Sequence, residues 1–264
     1  MTSILSKALE VSPPTHGQTA QAVVVVIHGL NNKPEIMDPL ARELNQNGAE
    51  VFRVGLTGHR GDFEAMKTVT PEQWLHDLSS AYQLARQRAD ELGVPLNFIG
   101  YSLGALVNSA LMSRFGSPVR YDRQVLLAPA IKVKFTSHLL KVLNIFGKGF
   151  RVPSLNDAAH RANKGTAMAA YNALFELVSD FKQANYRGMN IPTLVLGDPE
   201  DELVDFAGLK AEAKLAGLNF WKFESLDKRD VEKIQYHHLI TDPGVLGPET
   251  WANMMKKITT HLEL

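Results

Sequence analysis

Gly100-Tyr101-Ser102-Leu103-Gly104 decides the fold of this chain, because of what stands on either side of it. Leu96-Asn97-Phe98-Ile99 reads as a short buried strand, and Leu103 through Met112 reads as the helix that follows. A serine between two glycines on a strand-to-helix turn has the pattern of a nucleophile elbow. The chain reverses so sharply there that the serine backbone is strained and the flanking positions have no room for a side chain. Such a turn lifts the hydroxyl clear of the sheet edge and aims the next helix N-terminus at whatever the serine attacks. The plainer reading is a glycine-rich turn whose serine only caps the helix.

Outward from the elbow, short apolar strands alternate with amphipathic helices, the pattern of a mostly parallel sheet covered on both faces. Val23 to His28 reads as a central strand, Pro39 to Asn47 as a helix ending at Gly48, and Glu50 to Val54 as the next strand. Pro71 to Leu92 carries Trp74, Leu78, Tyr82 and Ala85 at helical spacing, with Thr70 as its N-cap. Gln124 to Ala128 is a further strand. At Ile131 the alternation stops, and up to about Gly188 only two helical patterns appear, Ser137 to Phe146 and Thr166 to Ala184. Strands resume at Ile191 to Leu196 and Asn219 to Phe223, and Pro248 to His261 is the last helix. The expectation is one domain over 1–264 with a helical insertion at 132–188. That insertion reads equally as a lid over the strand ends and as an extra helical layer with no gating role.

Lys+Arg 28 against Asp+Glu 28 gives no electrostatic case for nucleic acid or an anionic membrane as partner. The longest apolar run, Ala22 to Ile27, is far too short to span a bilayer, so no stable membrane association is expected. Met1 to Lys7 lacks the apolar stretch of a signal peptide, which makes a cytoplasmic location the expectation. Cysteine is absent, which excludes disulfides and thiol catalysis.

A serine hydroxyl is a poor nucleophile until a base takes its proton, and the base needs an acid to orient it. The expected chain order is serine, acid, histidine. His237 and His238 both fall between the last strand and the last helix; His238 is the preferred base and His237 the alternative. Asp198, Glu200, Asp201, Glu202 and Asp205 crowd the loop after Leu194-Val195-Leu196-Gly197. Asp201, with Leu203-Val204 entering the next turn or helix, is the preferred acid, and Asp198, fixed by Pro199, is the alternative. Two main-chain N–H groups must meet the developing oxyanion. Leu103 follows the nucleophile and supplies one; Leu30, in the loop His28-Gly29-Leu30-Asn31, supplies the other. His28 itself reads as a structural hydrogen-bonding residue.

With these motifs the chain resembles the α/β-hydrolases, and more narrowly the carboxylesterase and monoacylglycerol lipase group. His28-Gly29-Leu30 resembles the oxyanion loop, Gly100 to Gly104 the elbow, Asp201 to Val204 the acid loop and His238 to Thr241 the histidine loop. Leu30 stands where relatives often carry an aromatic residue, and the acid loop is one residue longer than usual. The resemblance implies hydrolysis of a small-molecule carboxylic ester through an acyl-enzyme, with Ser102 attacking, His238 shuttling the proton and Asp201 holding the imidazole. It implies no metal and no organic cofactor. Short- to medium-chain acyl esters or monoacylglycerol-like substrates are expected. Leu139, Leu140, Val142, Leu143, Ile145 and Phe146 of the insertion are the expected acyl-binding wall, or else ordinary core. A thioesterase, an amidase or peptidase and a C–C hydrolase would use the same residues, and a binding protein of this fold without turnover would carry a broken set. A serine-directed fluorophosphonate probe separates these classes. Covalent labelling should be lost in Ser102→Ala; labelling that survives the substitution would contradict the assignment of the nucleophile.

Overall fold

Six consecutive buried residues, Ala22–Ile27, form a strand with no solvent-facing side, which is the mark of a parallel sheet sandwiched between helices. The computed structural model describes residues 8–114, 117–134, 139–154, 156–182, 186–226, 229–231, 234 and 236–264. This strand, β2, lies near the middle of a seven-stranded sheet. The others are β1 (Leu9–Ser12), β3 (Ala49–Val54), β4 (Leu96–Tyr101), β5 (Arg123–Leu127), β8 (Thr193–Gly197) and β9 (Trp221–Ser225). Their order is β1-β3-β2-β4-β5-β8-β9; β1 runs antiparallel to β3 and every other pair is parallel.

Register places the chemistry at one edge. Ile27 pairs with Gly100, Tyr101 with Leu127, and Leu127 with Leu196. The carboxyl ends of β2, β4, β5 and β8 therefore stop together, and the loops after them share one crevice, where such sheets bind ligands.

Helices cover both faces. α1 (Asp38–Gln46) and α6 (Pro248–Leu262) pack on one side with Val24, Val26, Ile99 and Leu127. α2 (Pro71–Leu92), α3 (Leu103–Ser113) and α4 (Met168–Lys182) pack on the other with Val23, Val25, Ile27 and Phe98. Alternate residues of β2 thus serve two separate cores, as the twofold strand period requires. α2 starts with a reciprocal cap: Gln73 N–H donates to Thr70 Oγ1 at 3.3 Å and Thr70 N–H to Gln73 Oε1 at 3.0 Å.

Between β5 and β8 the chain leaves the sheet. It forms a 3-10 helix (Leu139–Phe146), a two-stranded antiparallel hairpin of β6 (Arg151–Pro153) and β7 (Gly165–Ala167), and then α4. The hairpin corrects the expectation that this stretch holds no strand. Ser137 and Ala184, expected helix ends, lie outside the described residues. Edge strand β1 and the hairpin were not expected from the sequence, whereas helix α5 (Phe206–Leu215) after β8 is the helix left open as an alternative beyond Leu203-Val204. β1 is four residues long, with Glu10 and Val11 exposed and neither end fully buried, so its partner β3 defines it rather than its own apolar pattern. Among the described residues, no helix is long and apolar enough to cross a membrane.

The elbow glycines have steric work to do. A Cβ on Gly104 would lie 2.5 Å from Ile27 Cγ2 and 2.7 Å from the Ile27 carbonyl oxygen; one on Gly100 would lie 2.7 Å from the Ala105 nitrogen. Gly104→Ala should therefore destabilise the fold by about 1–3 kcal/mol and lower the melting midpoint by several degrees. Gly149→Ala, which meets only the flexible Lys67 side chain, at 3.4 Å and beyond, should be tolerated. Equal midpoints for both variants in a thermal melt would show that the elbow is not closely packed.

Candidate active site

Ser102 occupies φ 49° and ψ −110°, a region that a residue with a Cβ enters only under constraint. Its N–H donates to the Leu127 carbonyl at 2.8 Å, and its own carbonyl accepts from Ala130 N–H at 3.1 Å and Leu106 N–H at 3.2 Å. Gly104 N–H donates to the His28 carbonyl at 3.1 Å. Bonds from β5, the loop after it, the loop after β2 and α3 thus hold the turn from several sides.

The loops after β8 and β9 bring the acid and the imidazole. Ser102 Oγ lies 2.9 Å from His238 Nε2, and His238 Nδ1 lies 2.7 Å from Asp201 Oδ2. The other oxygen, Oδ1, accepts from Leu203 N–H at 2.8 Å and Val204 N–H at 2.9 Å. Burial opposes ionisation of Asp201, yet His238 and these two N–H groups outweigh it and hold the carboxyl below its ordinary value. An ionised Asp201 can only accept, so His238 Nδ1 carries the proton and Nε2 is left to accept from the serine hydroxyl. The imidazole is also supported from below. Tyr101, whose ring centroid is 5.3 Å from that of His238, donates its hydroxyl to the His238 carbonyl at 3.2 Å.

The two alternatives left open by the sequence pair with each other instead. His237 Nδ1 lies 2.8 Å from Asp198 Oδ2, and Arg229 donates to the same oxygen at 2.9 Å. Both aspartates are buried, and the structure brings Asp201 and His238, not Asp198 and His237, to Ser102.

Leu103 opens α3, where the first N–H groups have no intrahelical acceptor. Leu30 lines the cavity above Ser102. The peptide that carries its N–H is set by His28, which is fully buried. Leu56 N–H donates to His28 Nε2 at 3.1 Å, so the ring proton sits on Nδ1 and donates to the Gly29 carbonyl at 2.8 Å. Fixing that carbonyl fixes the Leu30 N–H across the same peptide plane. Burial, and then neighbouring His59, push the His28 pKa well below the usual histidine range and keep the ring neutral.

Asn31 and Asn163 were not singled out in the sequence. Asn31, at φ 53°, accepts from Asn163 N–H at 3.0 Å and donates Nδ2–H to the Asn163 carbonyl at 3.1 Å. Ala162 N–H donates to the Asn31 carbonyl at 2.8 Å. Asparagine tolerates this left-handed backbone, which was the one available signal; a partner 132 residues away left none.

A cavity of about 300 Å³ opens on Ser102 and His238. Its apolar wall includes Val133, Val152, Tyr171, Leu174 and Phe175. This corrects the expected acyl wall: Ile145 and Phe146 are 78% and 60% exposed, and Leu143 is not among the lining residues described. The side chains of Leu139, Leu140 and Val142 lie outside the described residues. Helix α4 and the β6–β7 hairpin supply the apolar surface instead. Larger clefts of about 710 and 660 Å³ open elsewhere, beside Arg123 and beside Arg53, without Ser102 in their walls.

Comparison with known proteins gives a family match and a fold. A family model described as serine aminopeptidase, S33, matches residues 18–228. A thermostable monoacylglycerol lipase of Bacillus sp. (strain H-257) is 24% identical over 198 residues, covering 72% of this chain and 75% of the relative. Among solved structures, a soluble variant of the Saccharomyces cerevisiae monoglyceride lipase superposes with TM-score 0.74 at 14% identity, covering 96% of this chain and 91% of that one. The Paleococcus ferrophilus monoacylglycerol lipase superposes with TM-score 0.67 at 18% identity, covering 96% and 99%. The fold is that of the α/β-hydrolases.

His28 and His59 make stability depend on pH. Burial lowers both from the ordinary 6.5, His59 to about 4. Between 6.5 and about 4 the unfolded chain binds the His59 proton and the folded chain does not, and His28 acts in the same direction below 6.5. The contribution of the neutral rings to stability is full above pH 6.5 and is lost as pH falls below it, for His59 down to about 4, at up to about 1.4 kcal/mol per unit. Urea denaturation at pH 7.5, 6 and 5 should show this decline, and His59→Gln should flatten it. A slope unchanged by His59→Gln would contradict it.

Proposed function

Because the chain belongs to the serine aminopeptidase, S33 family, we propose that it is a serine hydrolase of short- to medium-chain carboxylic esters, monoacylglycerol-like esters included. The observation that carries this reading is the unbroken relay from Ser102 through His238 to Asp201, 2.9 and 2.7 Å per link, at the floor of a largely apolar cavity.

In the proposed mechanism Ser102 Oγ attacks the ester carbonyl as its proton passes to His238 Nε2. Asp201 keeps the proton-bearing Nδ1 in place and stabilises the imidazolium. The N–H groups of Leu30 and Leu103 receive the oxyanion, each worth roughly 3 kcal/mol of barrier. The alcohol leaves with the proton from Nε2, and an acyl group remains on Ser102. Water, deprotonated by His238, then attacks that acyl group by the reverse route and frees the acid.

Cavity size supports a small acyl group, since about 300 Å³ is at the low end for ligand sites. We also propose that residues 132–188 form a cap over the site, with α4 and the β6–β7 hairpin as its described inner surface.

A second reading is cleavage of an aminoacyl amide, favoured by the description of the family itself. Its substrate carries a free ammonium group, which a carboxylate in the site would receive. The described lining residues are apolar or uncharged, with His238 the sole titratable group besides Tyr171. That lining favours the neutral ester.

A panel of p-nitrophenyl esters from acetate to palmitate, run beside aminoacyl p-nitroanilides, tests both readings. Ester hydrolysis should peak at short or medium chains, and Leu174→Ala, which deepens the apolar wall, should move the peak to longer ones. Faster cleavage of the anilides than of every ester would overturn the proposal.

A further inference from the structure

The backbone of residues 236–239, which carries His238, is gripped from both sides, and half of the grip comes from one side chain. Arg229 lies between β9 and α6, and its side chain is completely buried. One nitrogen, Nη1, donates to the Tyr236 carbonyl at 3.0 Å and reaches the Leu239 carbonyl at 3.5 Å. The other, Nη2, donates to the His237 carbonyl and, at 2.9 Å, to Asp198 Oδ2. The remaining carbonyl of the run, that of His238, accepts from the Tyr101 hydroxyl. On the opposite side Glu202 accepts His237 N–H at 2.8 Å and His238 N–H at 3.1 Å. Four successive carbonyls and two N–H groups are thereby fixed.

The arginine is itself tied down at both flanks. Leu226 N–H donates to the Gly197 carbonyl at 2.9 Å. Asp230, the next residue, accepts from Glu249 N–H and Thr250 N–H at 2.9 Å each, at the start of α6. Asp198 neutralises the guanidinium from the acid loop, three residues before Asp201. One buried ion pair thus joins the loop bearing the acid to the loop bearing the base.

We infer that Arg229 is a positioning residue, whose planar fork, paired with Asp198, sets the imidazole of His238 against Ser102 and Asp201. This rests on the reading of His238 as the base. A guanidinium suits the task because it presents several donors in fixed directions, which a lysine ammonium cannot reproduce. Loop bearings matter here because a displacement near 1 Å costs on the order of 100-fold in rate. The charged and titratable groups facing His238 in this assembly are Asp201 and Glu202 from the acid loop, Tyr101 from β4, and Arg229 with its partners Asp198 and His237.

The test uses the full chain as wild type, Arg229→Lys, Arg229→Met, Asp198→Asn and the double variant Arg229→Met/Asp198→Asn. The double variant removes both charges together and leaves no unpaired ion in the interior. Two rates are read: kcat and KM on p-nitrophenyl butyrate across pH, and the rate of fluorophosphonate labelling of Ser102. Arg229→Met and the double variant should lose roughly 10- to 100-fold in kcat with KM within about twofold, and Arg229→Lys should fall between them and wild type. Labelling should slow by a similar factor. The acidic limb of the pH profile should move up in pH in Arg229→Met, where the buried cation against the backbone of the histidine loop is gone, and down in Asp198→Asn, where that cation is unbalanced. Should Arg229→Met fail to fold, the lysine and double variants carry the test. A folded double variant with wild-type kcat, labelling rate and pH limb would overturn the inference. A wild type inert toward esters but labelled faster than the double variant would sink the substrate assignment and leave the inference standing.

Discussion

Ser102 is held at φ 49° by bonds to Leu127, Ala130 and Leu106, while Gly104 is pinned to His28. Every other part of the site is arranged around that one strained position. A backbone in this region costs on the order of 1–3 kcal/mol, and it persists because strand ends, loop and helix over-determine it. The registers of β2, β4, β5 and β8 make this possible by ending four strands at one level. A slip of one residue in β4 would turn Tyr101 away from His238 and move the serine off the crevice.

Electrostatic order follows from where each group is buried. Asp201 keeps its charge in the interior because two main-chain N–H groups and an imidazole repay its desolvation. His28, buried near His59 without a carboxylate, stays neutral and directs a peptide plane rather than a proton. The same residue type therefore does different work on opposite sides of Ser102. What decides is whether a carboxylate faces the ring.

Much of this was legible in the residues, and the reasons differ by element. The elbow could be read because its demand is local and steric: glycine at 100 and 104 follows from contacts under 3 Å with Ala105, Ile27 and His28. The parallel sheet was legible because a strand buried on both faces has an unbroken apolar run. The choice between Asp201 and Asp198 was not, since both lie in one loop, both are buried and both hold a histidine. Only the third dimension shows which pair reaches Ser102. The acyl wall was misread because Leu143, Ile145 and Phe146 form an apolar pattern with no indication of which way it faces. Asn163 was invisible because its partner Asn31 lies 132 residues away, and Arg229 because its partners are main-chain carbonyls of the histidine loop and a carboxylate 31 residues back, none of which leaves a residue pattern.

As the proposed nucleophile, the strained serine becomes covalently acylated during turnover. Peptide mass mapping of protein quenched in acid while it consumes p-nitrophenyl butyrate examines this directly. One butyryl group should be found on the peptide that contains Ser102 and should be missing from the Ser102→Ala chain. Butyryl on any other residue, or undiminished turnover by the Ser102→Ala chain, would contradict it.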